Sequence, residues 1–514
     1  MIPFKNLPIR QFDGDKDVRG VETAIGGIKR EAGREYPLVI GRQTYTNTRK
    51  LKTFDPSAPS RTLAVFQKAT QEQAEEAINL ARETFESWKV TSAEERSAIL
   101  LRAAEVLRRR RDEAVATTVL EAGKNWIEAD AELAEAVDFL EFYAREALRY
   151  AEKQPVVPFE GEEPELFYIP LGVGAVIPPW NFPLAILTGM TSAAIVTGNT
   201  VILKPASDTP LTGQLLFEVM IEAGLPEGVL TYLTGSGGEI GDFIVEHPQV
   251  RFIAFTGSME VGLGINERAA RLAPGQVWIK RVVAEMGGKD AIIIDEDADL
   301  DAATEGIIIS AFGYQGQKCS ACSRLIVHER IYEPLMERVV SGTEALKVGP
   351  PEDRTNYMGP VINQAALDKI MSYVELGHGE GRLLTGGTRI DIPGYFIEPT
   401  IFAEASPDGR LAQEEIFGPL LTVMKVRDFD EALAVANNTI YGLTGAVYSR
   451  NEGHLARARE VFHVGNLYFN HKCTGAMVGV HPFGGFNMSG TDSKAGGPDY
   501  LGLFLQAKSV SRKV

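Results

Sequence analysis

Three side chains in this 514-residue chain have types and settings suited to covalent chemistry. Cys319 lies in Phe312-Gly313-Tyr314-Gln315-Gly316-Gln317-Lys318-Cys319-Ser320, and Glu285 lies upstream in Ala284-Glu285-Met286-Gly287-Gly288-Lys289. A thiol and a carboxylate are a nucleophile and a general base. The nearby glycines let backbone approach a ligand closely. Asn181, in Pro179-Trp180-Asn181-Phe182-Pro183, offers a side-chain amide for an oxyanion. Taken singly, each also reads as a buried cysteine, a surface glutamate and a turn asparagine. Cys319-Ser320-Ala321-Cys322 is in addition a CxxC, open to a redox or metal reading with His471 and Cys473. His-x-Cys is tighter than ordinary ligand spacing and no second CxxC exists, so no metal is expected. Cys322 reads as a buried structural thiol and Cys473 as a loop residue.

A second constellation suits a phosphate-bearing ligand. Gly235-Ser236-Gly237-Gly238-Glu239-Ile240-Gly241 follows an apolar run and opens a helical one, the setting of a dinucleotide turn. Its third glycine arrives one residue late for the usual fingerprint, so a plain glycine-rich turn fits equally well. Phe255-Thr256-Gly257-Ser258 is another strand and turn, followed by a helix from Glu260, where Ser258 and free amides could take a phosphate. Lys204 ends Val201-Ile202-Leu203-Lys204; a lone lysine at a strand end is ordinarily solvated, but two glycine turns nearby favour a cofactor.

The elements that must position these groups follow from periodicity. Residues 71–151 read as mostly helical, with Ala74, Ile78, Ala81 and Phe85 on one face and Ser92 capping the run to Arg111. From about residue 172, Val173–Pro178, Val201–Lys204, Val229–Leu233 and Phe252–Phe255 read as buried strands. Helices near 184–196, 211–223, 238–246 and 260–273 separate them. Such alternation predicts a parallel sheet covered on both faces. A second block follows from 289, with strands at Ala291–Ile294, Leu325–His328, Leu421–Val426, Gly445–Tyr448 and Asn466–Asn470. The Pro- and Glu-rich segment 154–170 reads as an extended excursion or hairpin.

Composition narrows the function classes. The length implies two or more domains, and 44% hydrophobic with 24% charged residues is the balance of a globular protein. A net charge of -17 argues against a nucleic-acid partner. Three cysteines cannot build a disulfide framework, which points to a reducing compartment. Met1-Ile2-Pro3-Phe4-Lys5-Asn6 lacks the apolar core of a signal peptide, and the longest apolar stretch, Leu184 to Val196, is too short to span a bilayer. A cytoplasmic enzyme is expected.

The frames around Asn181, Glu285 and Cys319, in this order and spacing, resemble the aldehyde dehydrogenase superfamily from roughly residue 20 onward. The resemblance implies an α/β fold with an atypical Rossmann NAD(P)-binding domain (1–151 and 172–288), an α/β catalytic domain (289–488) and a small β oligomerisation arm (152–171 and 489–514). A homo-oligomer built on dimers follows from it. Cys319 would attack an aldehyde, Asn181 and the Cys319 amide would hold the oxyanion, and Glu285 would activate water against the resulting thioester. Lys204 matches the lysine near the adenosine ribose, Gly237 and Gly241 the glycines near adenosine and diphosphate, and Ser258 the phosphate-contacting serine. Glu415 and Phe417, in Glu414-Glu415-Ile416-Phe417-Gly418-Pro419, match the pair that grips the nicotinamide ribose. Ile177, Pro179, Trp180, Phe255, Gly257 and Val261 complete the implied site. Ser207 departs from the glutamate of many NAD-preferring members, so NAD is expected and NADP remains open.

The loop Asn470-His471-Lys472-Cys473-Thr474-Gly475-Ala476-Met477-Val478-Gly479 and Gln317-Lys318-Cys319-Ser320-Ala321 are similar to the branch acting on glutamate γ-semialdehyde in proline breakdown. That likeness implies an α-carboxylate on the Gly475 and Ala476 amides and the Ser320 hydroxyl, with Phe182 and Phe483 against the aliphatic part. Another semialdehyde dehydrogenase is the alternative. A CoA-acylating member fits less well with Glu285 present, and a non-catalytic ligand-binding relative is a third reading.

Overall fold

The computed structural model describes residues 3–514; the first two residues of Met1–Asn6 lie outside it. Two parallel sheets dominate. The first holds, in spatial order, strands Arg281–Glu285, Val250–Thr256, Val173–Ile177, Thr200–Leu203 and Leu230–Tyr232. All neighbours run parallel. Alternate residues face opposite ways. Val176, Val201, Leu203, Ala254 and Val283 pack on helices Ala93–Arg109, Trp126–Ala151, Ala185–Val196 and Pro210–Glu222. Ala175, Ile202, Ile253, Phe255 and Ala284 pack on Gln71–Trp88 and Met259–Ala270.

The second sheet has seven strands, six parallel and one antiparallel at its edge, Arg382–Thr385. Ile292, Ile294, Leu325 and Val327 pack on one layer of helices, and Ala291, Ile293 and Ile326 on the other. Most of the apolar runs read from sequence are inner strands, buried on both faces, whereas Leu230–Tyr232 and Asn466–Phe469 lie at sheet edges.

Helix boundaries follow local chemistry. Thr70 with Gln73, and Ser92 with Glu95, form reciprocal caps. The helix opened by Ser92 ends at Arg109, and a separate helix runs Arg111–Ala122 to a left-handed Gly123. The helix expected near 238–246 is a π turn, Gly237–Gly241, running into the short helix Asp242–Glu246.

Segment 154–170 does not fold on itself as a hairpin. Its strand Glu162–Pro170 pairs antiparallel with Leu505–Lys513, and only a single bridge, Gln154 to Leu166, is local. Three strands absent from the sequence reading, at Arg34–Tyr36, Lys50–Asp55 and Ala58–Gln67, form a small sheet before the helical region. Among the described residues no helix is long and apolar enough to cross a membrane.

Candidate active site

Parallel strands bring their carboxyl ends to one edge of the first sheet, and ligands of open α/β sheets bind along that edge. Strand Val173–Ile177 runs out through Pro179, Trp180, Asn181 and Phe182. Strand Thr200–Leu203 delivers Lys204 and Ser207, strand Leu230–Tyr232 the turn with Gly237 and Gly241, and strand Val250–Thr256 Gly257 and Ser258. Glu285 is the last residue of Arg281–Glu285, in register with Thr256. Cys319 comes from the other sheet, in the loop leading to strand Cys322–His328.

That loop has an unusual backbone. Tyr314 (φ 49°), Gln315 (φ 56°) and Gly316 (φ 66°) are all left-handed. A Cβ on Gly316 would stand 2.3 Å from the Gly418 carbonyl oxygen, so the nucleophile loop and the Glu415–Phe417 loop touch through a glycine. Asn181 is buried and its Nδ2 donates to the Gln317 carbonyl at 3.0 Å, which fixes its amide two residues from the thiol. A Cβ on Gly288 would meet the Cys319 carbonyl at 2.4 Å, so the strand end after Glu285 is packed against the thiol loop.

One cavity gathers seven of the residues singled out from sequence: Phe182, Glu285, Cys319, Ser320, Gly475, Ala476 and Phe483. Its other walls are mainly apolar, with Ile186, Met190 and Val478 among them. Burial pushes the Cys319 thiol well above its ordinary range, and the charges of Asp290, Glu415 and Glu285 act the same way, against the Ser320 amide. Burial pushes the Glu285 carboxyl up to about 7, against hydrogen bonds from Ser493 and Gly485 and the charge of Lys494. A carboxylate so tuned can accept and release a proton near neutral pH. Gly475 takes φ 81°, and its loop is closed by Gly479 N–H to the Gly496 carbonyl at 2.8 Å.

The residues expected to hold a dinucleotide lie outside this cavity, along the sheet edge, and their surroundings leave room for a nucleotide. Lys204 is buried, only 5% exposed, contrary to the solvated terminus a lone lysine suggests. Its ammonium reaches only the Pro205 carbonyl at 3.2 Å, and among the described residues no carboxylate pairs with it. Burial lowers it to about 8. Gly241 lies beside its stem, where a Cβ would come within 3.5 Å of the Lys204 Cε. Gly237 opens onto free space. Ser258 caps the helix Met259–Ala270, and Val261 in that first turn is 51% exposed, an apolar side chain awaiting cover. The Phe417 ring meets Trp180 edge-on at 5.4 Å. The Glu415 carboxylate accepts from the Gly288 amide at 2.9 Å, and a Cβ on Gly287 would strike it. Ile177, Pro179, Phe255 and Ser207 fill the same edge, with Phe255 in the core beneath it.

Several residues were missed from sequence. Lys124 and Glu132 form a buried ion pair at 2.6 Å, and the Lys124 ammonium sits 3.8 Å from the Phe182 ring centre. Glu132 also accepts from the Leu184 and Ala185 amides, tying helix Trp126–Ala151 to the start of Ala185–Val196. Glu135 faces the cavity, where burial and the neighbouring Glu132 push it to about 8, against Lys124. Glu132, Glu135 and Asp138 recur every three residues among Leu133, Ala136, Val137, Phe139 and Leu140, an apolar stretch of helix Trp126–Ala151, which is the signal that could have found them. Ser493, Ala495 and Tyr500, from the segment assigned to the arm, reach Glu285 or the cavity wall. Cys322 and Cys473 are buried, and among the described residues no cluster of three His, Cys, Asp or Glu is placed to hold a metal.

Comparison with known proteins agrees with this geometry. The profile of the aldehyde dehydrogenase family matches residues 44–510. A 1-pyrroline-5-carboxylate dehydrogenase of Geobacillus sp. (strain WCH70) is 55% identical over 509 residues, covering 99% of each chain. The 1-pyrroline-5-carboxylate dehydrogenase 2 of Bacillus subtilis (strain 168) is 54% identical with the same coverage. The crystal structure of a 1-pyrroline-5-carboxylate dehydrogenase from Thermus with bound NAD is 53% identical, covers 100% of both chains and superposes with a TM-score of 0.98.

Proposed function

Since the chain belongs to the aldehyde dehydrogenase family, we propose that it oxidises L-glutamate γ-semialdehyde, the open form of Δ1-pyrroline-5-carboxylate, to L-glutamate with NAD in proline catabolism. The observation that carries the reading is the single apolar cavity that joins thiol, carboxylate and the Gly475 loop. NAD, when bound, supplies the acceptor for the hydride that leaves the substrate carbon. Lys204, Gly237, Gly241 and Ser258 would hold its adenosine and phosphates, and Glu415 and Phe417 its nicotinamide end.

The Cys319 thiol releases its proton to solvent water as its sulfur adds to the aldehyde carbon, and the Asn181 amide and Cys319 N–H stabilise the negative charge gathering on oxygen. Loss of hydride leaves a thioester on Cys319. Water then adds its oxygen to the thioester carbon and gives a proton to Glu285. Collapse breaks the carbon–sulfur bond, and the proton returns from Glu285 to sulfur. The Gly475 and Ala476 amides and the Ser320 hydroxyl fix the α-carboxylate, and Phe182 and Phe483 flank the chain between. Backbone amides make an anion site without net positive charge.

On this reading residues 1–151 and 172–288 bind the dinucleotide, 289–488 carry the chemistry, and 152–171 with 489–514 form an oligomerisation arm, of which Ala495 and Tyr500 also wall the cavity. A cytoplasmic homo-oligomer built on dimers fits a two-stranded ribbon with two free edges, which is marginal alone. The deciding experiment follows NADH formation from glutamate γ-semialdehyde and from an uncharged aldehyde of equal length. A strong preference for the first is expected, and equal kcat/KM would overturn the substrate assignment.

A further inference from the structure

Ser493 is buried, 4% exposed, and stands between two non-glycine residues in the left-handed region, Asp492 and Lys494, both at φ 53°. Residues are held in such conformations only when their surroundings over-determine them, and these cluster at functional sites. The surroundings here are explicit. Upstream, Met286 N–H donates to the Ser489 carbonyl at 2.7 Å and Thr491 N–H to the Ala284 carbonyl at 2.9 Å. Downstream, Ala495 and Phe483 exchange backbone bonds at 2.7 and 2.9 Å. The Lys494 ammonium clamps the Gly465 and Gly484 carbonyls at 2.8 and 2.9 Å.

The result is that both donors of Ser493 point at one atom. Its hydroxyl and its N–H, the latter at 3.3 Å, donate to Oε1 of Glu285. Glycines make room for the carboxylate: a Cβ on Gly484 would lie 3.0 Å from Oε1, and one on Gly490 3.3 Å from Oε2. Oε2 itself is buried and, among the described residues, has no hydrogen-bond partner. A buried carboxylate oxygen without a partner is costly unless something is meant to meet it.

We propose that Ser493 is a positioning residue for thioester hydrolysis, holding Glu285 by one oxygen so that the other faces the attacking water. The proposal rests on Glu285 being the base. The titratable groups facing Glu285 are Lys494 on the same loop, Cys319 across the cavity and Tyr500 from the turn Tyr500–Phe504. Burial raises the Glu285 carboxyl, and the two Ser493 bonds, with the Gly485 amide and the Lys494 charge, oppose that rise because they favour the ionised form. Protonated Glu285 cannot accept a proton, so turnover falls as pH drops through its pKa. Removing the hydroxyl raises that pKa and moves the acid limb to higher pH. One charge-assisted hydrogen bond corresponds to about one pH unit.

The test compares wild type, Ser493→Ala, Ser493→Thr and Glu285→Gln by stopped-flow burst and steady-state kinetics across pH. Ser493→Ala should keep an NADH burst of roughly one per site, lose about tenfold in steady-state rate below neutrality, and shift its acid limb upward by about one pH unit. Ser493→Thr, which keeps a hydroxyl, should return the limb toward wild type. An unshifted limb in Ser493→Ala, or burst and turnover falling by the same factor, overturns the proposal. Undiminished turnover in Glu285→Gln would instead remove the base assignment on which it stands.

Discussion

Replacing Gly475 by alanine puts a number on substrate anchoring. At φ 81° an alanine is strained by about 1–2 kcal/mol. Space is not the obstacle, because an added Cβ would meet only the Lys472 Cε and Nζ at 3.2 Å, the far end of a flexible side chain. Gly475 is exposed, so in the free enzyme the loop relaxes to an ordinary conformation and turns its amides away. Bound substrate restores them, since two charge-assisted bonds at about 1.5–3 kcal/mol each outweigh the torsional strain. The loss is therefore capped by the smaller quantity, the strain. A penalty of about 1–2 kcal/mol lowers kcat/KM about 5–30-fold. The assay is initial-rate NADH formation with glutamate γ-semialdehyde and with an uncharged aldehyde, in wild type and Gly475→Ala. The uncharged substrate should change less than about twofold. Equal losses on both would show that the loop places the nucleophile rather than the carboxylate, and no loss on either would remove the amides from recognition.

Cys319→Ala should abolish NADH formation while NAD still binds by fluorescence titration, and Cys322→Ala should keep most activity; the reverse pattern would move the nucleophile. Ser207→Glu should lower kcat/KM for NADP far more than for NAD, because a carboxylate near the adenosine ribose repels a 2′-phosphate, and equal effects would place residue 207 away from that ribose. Lys124→Met leaves the buried Glu132 carboxylate without its cation and should destabilise the protein by about 3–5 kcal/mol, read from denaturation midpoints. Adding Glu132→Gln should recover most of that loss, and strictly additive effects would show the two side chains to be independent.

The catalytic frames were legible because their chemistry is local: Asn181, Glu285 and Cys319 each sit in a short distinctive stretch, and the inner strands announce themselves as apolar runs. Other features are long-range. The partner of Glu162–Pro170 is Leu505–Lys513, which no local pattern near 154–170 can reveal. Ser493 meets Glu285 only because strand Arg281–Glu285 bridges to Gly490, and that strand, with charged Arg281 and Glu285 at its two ends, does not stand out as an apolar run. Glu135 was hidden because a carboxylate on a helix ordinarily reads as a solvated face; Lys204 stood out by its place between two glycine turns, but not its burial, which makes sense only with a ligand beside it.

The loop from Phe483 to Tyr500 carries the clamp on Glu285 and a wall of the cavity, yet it follows Cys319 by a long stretch of chain. During translation, at about 5–20 residues per second, the thiol is made on the order of ten to thirty seconds before Ser493. The whole five-stranded sheet precedes both. Cleavage between Phe483 and Ser493 would thus leave a protein that keeps Cys319, Ala476 and Phe483 to load an acyl group on sulfur but lacks the clamp on Glu285 to release it. Such a fragment would be a stoichiometric scavenger of aldehyde, and proteolytic nicking would show itself first as acyl-enzyme that does not clear.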